Sequence, residues 1–137
     1  MPEKGNFDLE NLLRNMQPVL EEEELVFCSL SPDQAEKYSP LSQGYYRERE
    51  GITIIMGRHL ADLDGLHYDF IFKRITLDVF SSLGAVGFLA RITEVLAAQG
   101  ISINVISAFY HDHLYVQSHQ ARLAIETLTL WQDKLSE

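Results

Sequence analysis

The sequence predicts an α+β chain, and three observations carry that prediction. From Ile75 to Val116 a strand-like run, an amphipathic helix and two further strand-like runs follow one another. A last helix then shows Ala124, Leu128, Trp131 and Leu135 at the spacing of one helix face. This second half reads strand, helix, strand, strand, helix, a split βαβ unit that lacks one closing strand. The first half adds two compact apolar runs, Leu25 to Leu30 and Ile52 to Met56, so a divergent second copy of the same unit, sharing a sheet with the first, is the economical inference.

Each element has a local cause. Asp8 is placed to cap a first helix whose apolar positions Leu9, Leu12, Leu13, Met16 and Leu20 form one stripe, and Pro18 bends or ends it. The acidic run Glu21 to Glu24 is a solvated approach to the strand Leu25 to Leu30. Ser31 to Gly44, with Pro32 and Pro40, has no clear period and reads as a loop or a poorly formed helix. Ile52 to Met56 is the second strand, and Gly57 opens a short turn-helix segment, carrying Leu60 and Leu63, that Gly65 ends. Ile75, Leu77 and Val79 alternate with Thr76, Asp78 and Phe80, as a half-buried strand does. The next helix places Phe88, Leu89, Ile92, Val95 and Leu96 on one face and stops at Gly100, where a left-handed residue caps it. Ile101 to Val105 alternates again, and Tyr110-His111-Asp112-His113 reads as a hairpin tip before Leu114 to Val116.

Composition excludes several classes of function. With 137 residues, 46% of them hydrophobic, the chain can bury a real core. A formal net charge of −9 opposes a nucleic-acid or anionic-membrane partner, because such binding draws on clustered Lys and Arg. Cys28 is the single cysteine and lies in an apolar run, so it reads as a buried core thiol, with no intramolecular disulfide and no CxxC motif. No apolar stretch approaches the roughly 18 to 20 residues that span a bilayer, and no leader pattern opens the chain, so the cytoplasm is the default compartment.

The turn Ser81-Ser82-Leu83-Gly84-Ala85-Val86-Gly87 is the most informative segment. A helix beginning behind such a turn presents free N–H groups and a partial positive charge, which suits a carboxylate. The Ser81 and Ser82 hydroxyls can contact either end of an amino acid. The bland alternative is that Gly84 and Gly87 only let the strand turn tightly into its helix, with water on the N–H groups.

These residues, with Leu96-Ala97-Ala98-Gln99-Gly100-Ile101-Ser102-Ile103-Asn104-Val105, resemble the ACT domain. The match is good over about Ile75 to Gln117, and the whole chain is similar to small stand-alone proteins with two tandem ACT-like units, here residues 1–70, the divergent one, and 71–137. The resemblance implies a ferredoxin-like (βαββαβ) α+β fold and non-catalytic allosteric sensing of a small-molecule effector, most commonly an amino acid. It implies a site made by Ser81, Ser82, Leu83, Gly84, Ala85, Val86, Gly87, Phe88 and Asn104, a homo-oligomer, expected to be a dimer, and no cofactor. Many ACT loops carry an acidic or Asn residue and then Pro before the glycine. Here Ser82 and Val86 occupy that neighbourhood, leaving Asp78 as one candidate for the effector's ammonium group.

Other readings are weaker. Gly84-Ala85-Val86-Gly87 fits a KH-type GxxG loop but lacks basic neighbours beyond Arg91. His111 and His113, with His119 nearby, are the beginning of a metal site but bring no evident third and fourth ligands, so a polar hairpin tip with Asp112 as turn residue is preferred. No GxSxG-type nucleophile motif occurs, and Cys28 has no adjacent His. A structural dimerisation module without any ligand is the main alternative to the sensor.

Overall fold

A computed structural model describes residues 4–78 and 87–136. The elements are α1 (Lys4–Asn15), β1 (Gln17–Leu20), β2 (Leu25–Leu30), α2 (Pro32–Tyr38), β3 (Gly44–Arg47), β4 (Ile52–Gly57), α3 (Arg58–Leu63), β5 (Phe72–Asp78), α4 (Phe88–Ala97), β6 (Ile103–Ser107), β7 (Asp112–Gln117) and α5 (Ala121–Leu135). They group into two compact units, one contiguous, Glu22–Lys73, and one discontinuous, Met1–Glu21 with Arg74–Glu137.

In the contiguous unit the strand order is β3-β4-β2, with Phe72 paired to Leu25 beyond β2. β2 and β4 run antiparallel from Leu25 opposite Gly57 to Leu30 opposite Ile52. Alternation sends Val26, Cys28, Leu30, Ile52, Ile54 and Met56 to one face, where Ala35, Tyr38 and Ala61 of α2 and α3 cover them. The segment read as a loop or a poorly formed helix holds a well-capped helix, α2, and the reason is local. Ser31 Oγ accepts from Gln34 N at 3.2 Å and Gln34 Oε1 accepts from Ser31 N at 3.1 Å, with Pro32 at the first helical position. Cys28 is buried, and burial raises its thiol pKa, which keeps it an inert core group.

In the discontinuous unit the order is β1-β5-β7-β6. β1, from the amino-terminal segment, is the closing strand that the second half lacks, antiparallel to β5 from Gln17 opposite Asp78 to Leu20 opposite Ile75. Pro18 therefore sits in a strand rather than bending a helix, and it is tolerated at an edge: among the described residues β1 pairs only with β5. Asp8 lies inside α1, which begins at Lys4, instead of capping it: the helix starts one turn before the apolar stripe does. Leu13 and Met16 follow α1 into the core of this unit, with Ile75, Leu77, Phe88, Ile92, Leu96, Leu114, Val116, Ala124 and Leu128. Gln132 Nε2 fastens that segment by donating to the carbonyls of Leu13 at 3.0 Å and Met16 at 2.7 Å.

α4 ends as its sequence predicts. Gly100 has φ +76°, and the N–H groups of Gly100 and Ile101 return to Ala97 O at 2.9 Å and Leu96 O at 3.2 Å, a Schellman-type closure with Ile101 buried behind it. β6 and β7 pair from Ile103 opposite Val116 to Ser107 opposite Asp112. The hairpin tip is thus Ala108 to His111, closed by Ala108 N to His111 O at 3.0 Å, and Asp112 belongs to the strand instead of the turn. Taken together, the chain has an α+β, ferredoxin-like fold in two units.

Candidate ligand site

The β5 to α4 connection is where the sequence places the site, and Ser81, Ser82, Leu83, Gly84, Ala85 and Val86 lie outside the described residues, as do Val79 and Phe80. Gly87 stands at the N-cap of α4 with φ +86° and ψ −1°, a left-handed conformation that glycine adopts without strain. Its carbonyl accepts from Arg91 N at 3.0 Å, and glycine itself brings no capping side chain. The amides that open a helix carry a partial positive charge and need an acceptor. Phe88 is 3% exposed and packs in the core, so it offers the site only its main chain.

Asn104 belongs to a different element from Gly87 and Phe88. It is exposed on β6 and opposite Tyr115, which lies between Leu114 and Val116 of the helix-side core. Its side chain therefore leaves the sheet on the face away from α4.

That open face carries a polar network that the sequence reading did not assemble. Arg74 donates to both carboxylate oxygens of Glu21, Nε to Oε2 at 2.8 Å and Nη2 to Oε1 at 2.9 Å. Thr76 Oγ1 donates to Glu21 Oε2 at 3.1 Å and lies 2.9 Å from His113 Nδ1. The His113 and His111 rings are 6.4 Å apart and nearly perpendicular, and His111 Nε2 is 3.9 Å from Asp78 Oδ1. Hydrogen bonds from Arg74 hold the Glu21 carboxyl below the usual carboxylate range. Burial, helped by the charge of Arg74, lowers the pKa of His113. Asp78, the last residue of β5, is exposed at the edge of this network. The legible signal was the polar half of the β5 alternation, Arg74, Thr76 and Asp78, but not Glu21, whose partner lies 53 positions along the chain.

Among the described residues no group of three His, Cys, Asp or Glu side chains is placed to hold a metal ion. No helix among them is long and apolar enough to cross a membrane. Surface recesses also lie elsewhere among the described residues. One of about 550 Å³ lies beside α2, where Tyr38 donates to Asp64 at 2.5 Å. Another, about 410 Å³, is a groove between α4 and α5.

Comparisons with known proteins agree with this architecture. Two family models, each described as an ACT domain, match residues 4–73 and 73–129. Comparison with curated protein sequences gave no match. Among solved structures, a Vibrio cholerae protein of unknown function, described as a possible transport protein, is similar with 37% identity and a TM-score of 0.83 over 93% of this chain and 98% of that one. The Agrobacterium tumefaciens protein Atu0741 is similar at 18% identity, with a TM-score of 0.67 over 83% of this chain and 87% of that one. The regulatory subunit of aspartate kinase from Thermus thermophilus, in a ligand-free form, shares the fold at 8% identity, with a TM-score of 0.61 over 83% and 96% of the two chains.

Proposed function

Because the chain belongs to the ACT domain family, we propose that it is a non-catalytic regulatory protein of the cytoplasm whose two family units, residues 1–70 and 71–137, sense an amino acid or similar small carboxylate. The observation that carries this reading is the junction at Gly87. A helix opens there behind a left-handed glycine that has no side chain to cap it, and the exposed Asp78 is the last residue of the strand that precedes it in the chain. In this reading the amides from Gly84 to Phe88, with Ser81 and Ser82, take the α-carboxylate, and Asp78 takes the ammonium group. Asn104, on the opposite face of the sheet, acts through the edge strand β6 and not through this cradle. The output is a shift in self-association, expected to involve a dimer, since a ligand changes an equilibrium only through its different affinity for two states.

A thermal-melt panel with each common amino acid at millimolar concentration tests the proposal. At about a hundredfold excess over the dissociation constant, a ligand selective for the native state adds about 2.7 kcal/mol of apparent stability. One or a few amino acids should raise the melting temperature, and Asp78→Asn should abolish the rise. No shift with any of them would remove the sensor reading.

A second reading, a dimerisation module without ligand, draws on one observation. Among the described residues β6 pairs only with β7, and Val105, Ile106, Phe109 and Tyr110 along that strand and its tip are exposed. It predicts association that no amino acid alters.

A further inference from the structure

The groove between α4 and α5 has the features of a contact between copies. On α5, Leu123, Thr127, Leu130 and Lys134 line it, with Val95 of α4 opposite and Glu126 on its flank. Leu123 is 43% and Leu130 is 63% exposed, although both belong to a helix whose other face is fully buried at Ala124 and Leu128. A lone exposed leucine is ordinary, whereas two leucines on one groove-lining stripe are a surface with something to cover.

The stripe also has a symmetry. Its spacing, four, three and four residues, is the same read from either end, and it matches the seam of paired helices. A two-fold axis midway between Thr127 and Leu130 would set Leu130 against Thr127 of the second copy and Leu123 against the aliphatic stem of Lys134. The charges agree with that direction alone. Glu126 and Lys134 have no ion-pair partner among the described residues. An antiparallel pairing brings each within a helical turn of its opposite on the other copy, while a parallel one stacks Glu126 on Glu126 and Lys134 on Lys134.

We propose that this face is the docking surface for a second copy of the chain, with the two α5 helices antiparallel about a two-fold axis. The inference rests on the self-association named above, but not on the effector. Helix pairing through one seam gives a small interface, so the dimer is a weak, reversible one. The fixed side of the surface is α5 itself, anchored to its unit through Leu128 and Ala124.

Sedimentation equilibrium on the full chain, from micromolar to millimolar concentration, tests it. Leu130→Glu, at a site too exposed to disturb folding, should raise the dimer dissociation constant at least about tenfold, with an unchanged circular dichroism spectrum. Glu126→Lys and Lys134→Glu should each weaken the dimer, and the double variant should recover it to within about threefold, because each swapped charge again meets its opposite. A dimer indifferent to Leu130→Glu overturns this surface and leaves self-association standing. A double variant no tighter than the single ones overturns the antiparallel arrangement. A monomer throughout the range overturns both the surface and the self-association part of the function, while the amino-acid melts report independently on the effector.

Discussion

Thr76 Oγ1 and His113 Nδ1 lie 2.9 Å apart, and the single hydroxyl proton of Thr76 is directed to Glu21. His113 must therefore supply the proton of their shared bond, which fixes its neutral form as the Nδ1–H tautomer and leaves Nε2 as the acceptor. A chain of three side chains from three segments, Glu21, Thr76 and His113, thus reads out protonation at one end and ion pairing at the other.

Acid should weaken the fold in two steps. The folded pKa of His113 lies below its ordinary 6.5, so the unfolded chain takes up the extra proton first. The stability it contributes is complete above pH 6.5 and is lost as pH falls through the lower folded value. Glu21 acts in the same direction from lower pH, with its contribution complete above 4.5 and lost as pH falls through its depressed folded value. Thermal melts across this range should show both declines. His113→Asn, which keeps a donor for Thr76, should erase the first and leave the second.

The cap of α2 gives a local stability test. Ser31→Ala removes the acceptor of Gln34 N and should cost about 1 kcal/mol by urea denaturation, without altering the slope of the unfolding curve. An unchanged midpoint would mean that packing of Ala35 and Tyr38 alone holds the helix.

Gln132 is the fastening of the amino-terminal segment. Gln132→Leu leaves the carbonyls of Leu13 and Met16 without this donor and should destabilise the protein by about 1 to 3 kcal/mol. Limited proteolysis of the variant should cut first between α1 and β1.

Gly100 isolates a conformational effect. A Cβ there would have no heavy atom within 4 Å, yet φ is +76°, so Gly100→Ala should cost about 1 kcal/mol through backbone strain alone. Gly100→Asn should cost less, because Asn tolerates the left-handed region. Equal losses in the two variants would point to packing instead.

Periodicity made most of the elements legible. The Ile75-Leu77 alternation, the Phe88-Ile92-Leu96 stripe and the Ala124-Leu128 stripe all became core as the spacing required. What escaped depends on partners distant in sequence or on caps that periodicity ignores. β1 is four residues long and contains Pro18, so only its pairing to β5 marks it as a strand. α2 is announced by Ser31 and Gln34 rather than by a stripe. Near the candidate site, the sequence placed Gly87 at a helix start and Asp78 at a polar position of an alternating strand, and both stand there. The face on which Asn104 emerges was not legible, since it follows from the register of its strand with β7.

The closing strand contributed by residues 17 to 20 also imposes an order on biosynthesis. As the chain leaves the ribosome, the segment from 22 to 73 has all of its own strands within a few seconds of one another. β1 emerges earlier still, yet it must wait for Ile75 to Asp78 before its neighbour exists. Residues made before the contiguous unit thus find their place after it, and a nascent polypeptide would carry Leu13 and Met16 unburied until α4 and α5 have followed.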